Sequence, residues 1–214
     1  MRKLFLLPCF AIFFLTSCLG ATMDITIRSN GSGRIVLEYR VSQVLESLGR
    51  LDGNERWPAI PVGRADLERT LARIPGMRLS SFSARSLPND SGGTDLVTRA
   101  VLDFRNTDAL LAFLDITGSR ATLMQENGSS RLNLVLLDPS PAIEDAELLS
   151  LLREISAGYE IRIRMNVPRR IYAMMVQGAM PPVRAQTDGR NFSFAVDTGE
   201  LPAITDGLAL EVSW

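Results

Sequence analysis

The sequence has no histidine, only two cysteines and, apart from Lys3, no lysine. Without imidazole there is no Ser-His-Asp arrangement, no histidine general base and no imidazole metal ligand. Both cysteines, Cys9 and Cys18, lie at the N-terminus. Neither stays free in the mature chain read below, so thiol catalysis, Cys/His zinc sites and a disulfide framework are excluded too. A chain of 214 residues can bury a core without disulfides, as many envelope proteins do. A GxSxG element, a phosphate-binding loop and a calcium loop are missing. So is a basic excess: 23 Lys+Arg stand against 24 Asp+Glu, and nucleic-acid partners call for the opposite balance. Carboxylates, hydroxyls and arginine remain. Asp95, Asp103, Glu126 and Asp197 fall in or beside strand patterns, as ordinary solvated acids do, and no convincing acid–base pair emerges. The expectation is a non-enzymatic protein with no cofactor and no metal.

What the sequence does have is a strongly patterned beginning. Arg2 and Lys3 precede an apolar run from Leu4 to Phe14, broken only by Pro8, and Leu15-Thr-Ser-Cys18 follows. A charged head, a short apolar body and small residues before a cut make a secretory signal. The apolar run is about ten residues, where a spanning helix takes roughly 20. Leu15-Thr-Ser-Cys18 resembles the lipobox of bacterial lipoproteins, whose cysteine is acylated and becomes the first mature residue. Residues 1–17 are then expected to leave as signal peptide, Cys18 to carry palmitate-type chains, and residues 18–23 to hold the domain as a short tether near the headgroups. Each buried methylene contributes about 0.8 kcal/mol and one chain holds only marginally; the two or three chains that the resemblance implies make a durable anchor. In double-membrane bacteria an Asp after the cysteine retains a lipoprotein at the inner membrane. Here that residue is Leu19, which by resemblance favours the outer membrane or cell surface. Losing Arg2 and Lys3 leaves 21 cations against 24 acids, near −3, and every remaining cation is arginine. The codon use of a GC-rich genome accounts for that more simply than a purpose-built donor surface.

Elements follow from periodicity. Asp24 to Ser29 and Arg34 to Val41 alternate around Asn30-Gly-Ser-Gly33, a hairpin. Residues 49–63 form a glycine- and proline-rich loop around Trp57, a residue suited to stacking or to a membrane interface and more commonly used to pin its own loop. Helices are expected over Ala65–Ile74, capped off by Pro75-Gly76, and over Thr107–Ile116, with Thr107 as cap. A long helix with a broad apolar face is expected over Ala142–Ala157. Strands are expected at 77–86, 95–105, 120–126, 131–137, 159–167, 171–176, 184–187, 191–196 and 208–214. Asp66 and Asp108, Leu71 and Phe113, Gly76 and Gly118, and Arg78 and Arg120 each lie 42 apart, a twofold helix–strand–strand repeat. The expected fold class is α+β, with one or more antiparallel sheets of repeated hairpin–helix units and helices on one face. It forms a single domain over 24–214, and Asp138-Pro-Ser-Pro141 marks where it would subdivide.

The segment most suggestive of binding runs from Tyr172 to Met180. Met174, Met175 and Met180 suit an adaptable apolar surface, while Arg169 and Arg170 suit a phosphate or acidic headgroup. Core-filling methionines are the simpler reading of the same pattern. The lipobox, the strand Met23-Asp-Ile-Thr-Ile27 with its glycine turn, the helix end Ile74-Pro-Gly76, the strand end Asn166-Val-Pro168 and Asp188-Gly-Arg-Asn-Phe-Ser-Phe194 together resemble the LppM-like bacterial lipoproteins. The resemblance implies an envelope-exposed α+β domain with an apolar cavity that binds lipids or glycolipids. The chain departs from the family by lacking a C-terminal membrane segment, which leaves Cys18 as the expected anchor. The reading is a lipid-anchored module for a lipid or other apolar ligand, with Trp57, Arg169, Arg170, Tyr172, Met174, Met175 and Met180 as candidate contacts. Its alternative is a structural or interaction lipoprotein whose sheet edge or loop docks another envelope protein, motivated by Leu208–Trp214 as a strand at an unpaired edge.

Overall fold

The alternating segments become strands. The computed structural model describes residues 19–42, 63–89, 92–115, 120–126, 128–178 and 183–214. Its strands are β1 (Leu19–Ile27), β2 (Gly33–Ser42), β3 (Met77–Pro88), β4 (Thr94–Phe104), β5 (Ala121–Glu126), β6 (Ser129–Leu137), β7 (Glu160–Asn166), β8 (Ala173–Gln177), β9 (Val183–Asp188), β10 (Asn191–Asp197) and β11 (Leu208–Ser213). Three short helices, α1 (Arg64–Leu71), α2 (Thr107–Leu114) and α3 (Ala146–Ile155), and one 3-10 turn (Thr198–Ala203) complete the described elements. Turn chemistry sets the first hairpin. The Asn30 side-chain oxygen accepts the Ser32 N–H at 3.1 Å, and Gly31 takes a φ of 78° that side chains disfavour. Gly33 is required for another reason: a Cβ there would collide with the Thr26 carbonyl oxygen and the Phe104 ring.

The strands sort into a seven-stranded sheet, β3-β4-β2-β1-β7-β10-β9, and a four-stranded sheet, β5-β6-β11-β8. All neighbours are antiparallel except β1 and β7, which run parallel. Register lines the inward face of the large sheet into rows such as Leu102–Ile35–Ile25–Met165–Phe192 and Ala100–Leu37–Met23–Ile163–Phe194. These join Leu132, Leu134, Leu210, Val212 and Trp214 of the small-sheet side, Leu67 and Leu71 of α1, and Leu110 and Phe113 of α2 in one core. Burying each large side chain contributes about 1.5–3 kcal/mol. The outward face of the large sheet is a ladder of arginine–carboxylate pairs across strands: Arg164–Asp24, Arg99–Glu38, and Arg34 and Arg78 on Asp103.

The expected α+β architecture of hairpin–helix units with helices on one face does not form. The molecule is mostly β, and a second sheet contributes to the core where a helical layer was expected. The 42-residue repeat survives only as a chain-level pattern: α1 leads into the β3–β4 hairpin and α2 into β5–β6, but the hairpins join different sheets. They part because β4 pairs with β2 while β6 pairs with the late strand β11. Residues 138–141 are not a boundary, since strands from either side of them pair in both sheets.

Other expectations also change. Leu19 to Met23, read as tether, belong to β1. Asn106, not Thr107, caps α2 by accepting the Ala109 N–H at 2.9 Å. α3 starts four residues late because Asp145 caps it, taking the N–H groups of Glu147 and Leu148. Only Leu152 of α3 is buried, and Leu151 is 50% exposed. β11, expected at an edge, lies between β6 and β8. No helix among the described residues is long and apolar enough to cross a membrane.

Candidate functional site

Strand direction builds a concave site. β1 and β7 are parallel, and β4 runs the same way because antiparallel β2 lies between it and β1. Their C-terminal ends therefore meet at one end of the large sheet. There the chain continues as Arg28 after β1, Arg105 after β4 and Pro168-Arg169-Arg170 after β7, and the β9–β10 turn adds Arg190. A cleft of about 400 Å³ opens at this end. Ile27, Arg28, Ser29 and Gly31 form one wall, and Pro168, Arg169 and Thr107 at the start of α2 continue it. The small sheet supplies Gln125, Gly128, Ser129, Ser130 and Trp214. Trp214 is held there by two backbone bonds with Ser130, of 2.8 and 3.0 Å, and is almost fully buried.

The cleft is rich in hydrogen-bond donors, and its described lining has no acidic side chain. The Arg169 guanidinium donates to the Gly128 carbonyl, which ties the end of the large sheet to the β5–β6 hairpin. Among the described residues the Arg28 guanidinium reaches just the Ser32 hydroxyl, at 3.4 Å. Arg28, Arg105, Arg169, Arg170 and Arg190 are all exposed. None has an ion-pair partner among the described residues. Asp108, Glu126 and Asp188 adjoin this end in the chain but do not line the cleft, so the cations outnumber them.

The opposite end of the large sheet, where β1 and β7 begin, is closed by a polar cluster around one buried carboxylate. Asp95 is 1% exposed and accepts from the Tyr159 hydroxyl at 2.7 Å and the Asn89 amide at 2.8 Å. Arg40 approaches it at 3.5 Å. Burial first, then the neighbouring Asp95, pushes the Tyr159 hydroxyl up to about 12, and burial alone takes Tyr39 to about 12. Nearby, the Thr98 hydroxyl is buried with no partner among the described residues. Asp95 carries more structure than its sequence context suggested, because Tyr159 and Arg40 reach it from segments far off in the chain.

Of the expected ligand contacts, Arg169 lines the cleft and Arg170 stands beside it. Tyr172 and Met175 are 64% and 52% exposed on or next to β8, an edge strand. Met174 packs against the core. Adjacent strand residues point to opposite faces, so Met174 and Met175 do not line one pocket. Cys18, Trp57 and Met180 lie outside the described residues. Arg28 was missed, since nothing in its local sequence ties it to Arg169, which is 141 positions away; only the parallel β1–β7 pairing does. Among the described residues no cluster of acids forms that could hold a metal ion.

No family model matches the chain, and no curated protein sequence does. Among solved structures, it is similar to the folded domain of the Mycobacterium tuberculosis LppM protein, at 8% identity and a TM-score of 0.47, covering 92% of this chain and 88% of that one. It is also similar to a putative protease from Parabacteroides distasonis, at 10% identity and a TM-score of 0.37, covering 91% of this chain but 39% of that one. Likeness at this level does not place the chain in either family, and neither relative's activity is carried over.

Proposed function

We propose that the chain is an exported envelope protein, anchored to a membrane by lipid on Cys18, whose folded domain binds a ligand without chemical turnover. The observation that carries this reading is the continuity from the lipobox into the fold. Leu15-Thr-Ser-Cys18 is followed at once by Leu19, the first residue of β1. An acylated Cys18 would thus hold one end of the large sheet against the headgroups with no stalk between them. The partly exposed Leu151 and Ile155 of α3 suit that end. Ile155 precedes by four residues Tyr159, whose ring lies beside Gly20. At about 3.3 Å per residue, the nine residues of β1 carry the cleft roughly 30 Å from this end, so the cleft opens away from the anchoring surface. Binding rather than turnover fits a cleft whose described lining offers arginine and hydroxyls, with no acidic side chain, imidazole or thiol to serve as base.

The test is to express the full chain with its own signal in a lipoprotein-processing bacterium. The expected mature N-terminal peptide starts at Cys18 with the mass of added acyl chains, and detergent rather than salt extracts the protein. Cys18→Ser should block that processing and the acylation with it. A mature chain that begins elsewhere, or that leaves the membrane in a salt wash, would sink the proposal. The docking alternative loses its premise, because both sides of β11 are already paired.

A further inference from the structure

We infer that the cleft at the end of β1 and β7 is a binding site for a phosphate group, held between Arg28 and Arg169. Away from the cleft, the strand arginines of the large sheet meet a carboxylate, with Arg85 on the edge strand β3 as the exception among the described residues. Arg34, Arg40, Arg78, Arg99, Arg162, Arg164 and Arg184 each have a carboxylate within 4 Å. At the cleft end the pattern stops: Arg28 and Arg169 face a shared concavity with no acidic side chain among its described lining residues. Arg169 is pre-positioned by its bond to the Gly128 carbonyl, and that single bond leaves further N–H groups of its fork for a ligand. Phosphate is the group that matches this lining. Its several acceptor oxygens can take forked guanidinium donors from two sides and still accept from the Thr107 and Ser130 hydroxyls, whereas a carboxylate offers two oxygens in one plane. A cleft of about 400 Å³ has room for the phosphate and for part of the molecule that carries it. Arg105, Arg170 and Arg190, exposed at the same end, extend the positive field that draws an anion in.

The phosphate can come from a soluble phosphate ester or from a lipid headgroup, and the roughly 30 Å span of β1 favours a soluble ester or a surface other than the anchoring one. The inference deepens the binding reading above but does not depend on the anchor. Failure of Cys18 acylation would appear in the processing experiment and leave the titration below unaffected.

The test is calorimetric titration of the purified full chain, in a neutral sugar detergent, with inorganic pyrophosphate and separately with short-chain phosphatidylglycerol. Saturable binding of pyrophosphate is expected, weakening as salt is raised. The double variant Arg28→Gln, Arg169→Gln should lose about tenfold or more in affinity, as expected for the loss of charge-assisted bonds. Arg85→Gln should stay within about twofold; it removes an exposed, unpaired arginine on the edge strand β3. Thermal melts of each variant separate lost contacts from lost fold. Binding of phosphatidylglycerol alone, with the same loss in the double variant, supports the site and identifies a headgroup as its source. Binding of neither probe, wild-type binding indifferent to salt, or a folded double variant that binds as well as wild type would overturn the inference.

Discussion

The two ends of the large sheet draw on the same polar residue types for opposite purposes. Where β1 and β7 begin, Asp95, Tyr159, Asn89 and Arg40 close on one another, and the carboxyl is withdrawn from water. Where those strands finish, arginines stand exposed around an open cleft with no carboxylate partner among the described residues. Satisfied and buried, a polar cluster fixes the arrangement of strands. Left open, the same chemistry costs the fold little and remains available to a ligand. The contrast teaches that unpaired arginines gather at the cleft end, since the large sheet between the two ends is laddered with pairs and, among its described strand residues, leaves Arg85 alone without one.

The contrast can be broken most forcefully at the closed end. Asp95→Ala would strip an acceptor from the half-buried Tyr159 hydroxyl and Asn89 amide and leave a cavity in place of a buried carboxylate, and each lost hydrogen bond to a charged group costs about 1.5–3 kcal/mol. A loss of about 3 kcal/mol in denaturant unfolding is expected, and a loss below about 1 kcal/mol would mean that the cluster does not hold that end together. Tyr159→Phe keeps the ring and removes one bond, so it should cost about 1 kcal/mol by the same measurement.

The alkaline limb sharpens the point. Tyr39 and Tyr159 are both raised from 10.0 to about 12 in the fold, which favours their protonated form there. Their contribution is complete below pH 10, the ordinary tyrosine value, and is lost as pH rises toward 12. Unfolding midpoints should therefore fall over that window, and Tyr159→Phe should flatten the fall.

Smaller effects are expected on the sheet face. Asp103 is held below the usual carboxylate range, chiefly by its hydrogen bond from Arg34 and then by Arg78. Its contribution is present above the ordinary carboxylate pKa and lost as pH falls through the lowered one. Because the pair is solvent-screened, Asp103→Asn should cost less than about 1 kcal/mol near neutral pH. Least of all, Arg28→Gln and Arg169→Gln should each shift stability by no more than about 0.5 kcal/mol, read as denaturation midpoints. A larger loss would make the cleft a structural joint and erase the contrast between the two ends.

Much of the local structure was legible. Alternation placed every strand from Asp24 onward to within a few residues, and Asn30-Gly31, Asp188-Gly189 and the Pro75-Gly76 stop all mark real turns. The fold class was not legible. The 42-residue repeat suggested one construction used twice, but the identical local pattern of α1–β3–β4 and α2–β5–β6 does not encode which sheet a hairpin joins. That choice depends on β2 and β11, which come from opposite ends of the chain. The site was half legible. Arg169 and Arg170 stood out as adjacent cations, but Arg28 and Asp95 look ordinary until distant strands bring their partners to them. The methionines of β8 drew attention by composition, and the pleat then divided them, with Met174 inward and Met175 outward.

By itself, the sequence determined the positions of strands and turns and the absence of histidine, and it motivated the proposal of an exported, acylated chain. Each of these is written in residue order over a few neighbouring positions. The tertiary structure alone decided that two sheets share one core, that the last strand is interior, and that arginines 141 positions apart border one cleft. The reason is the parallel pairing of β1 with β7. It is made by backbone hydrogen bonds between segments far apart in the chain, which any alternating strand could offer, and only the assembled sheet selects the partner.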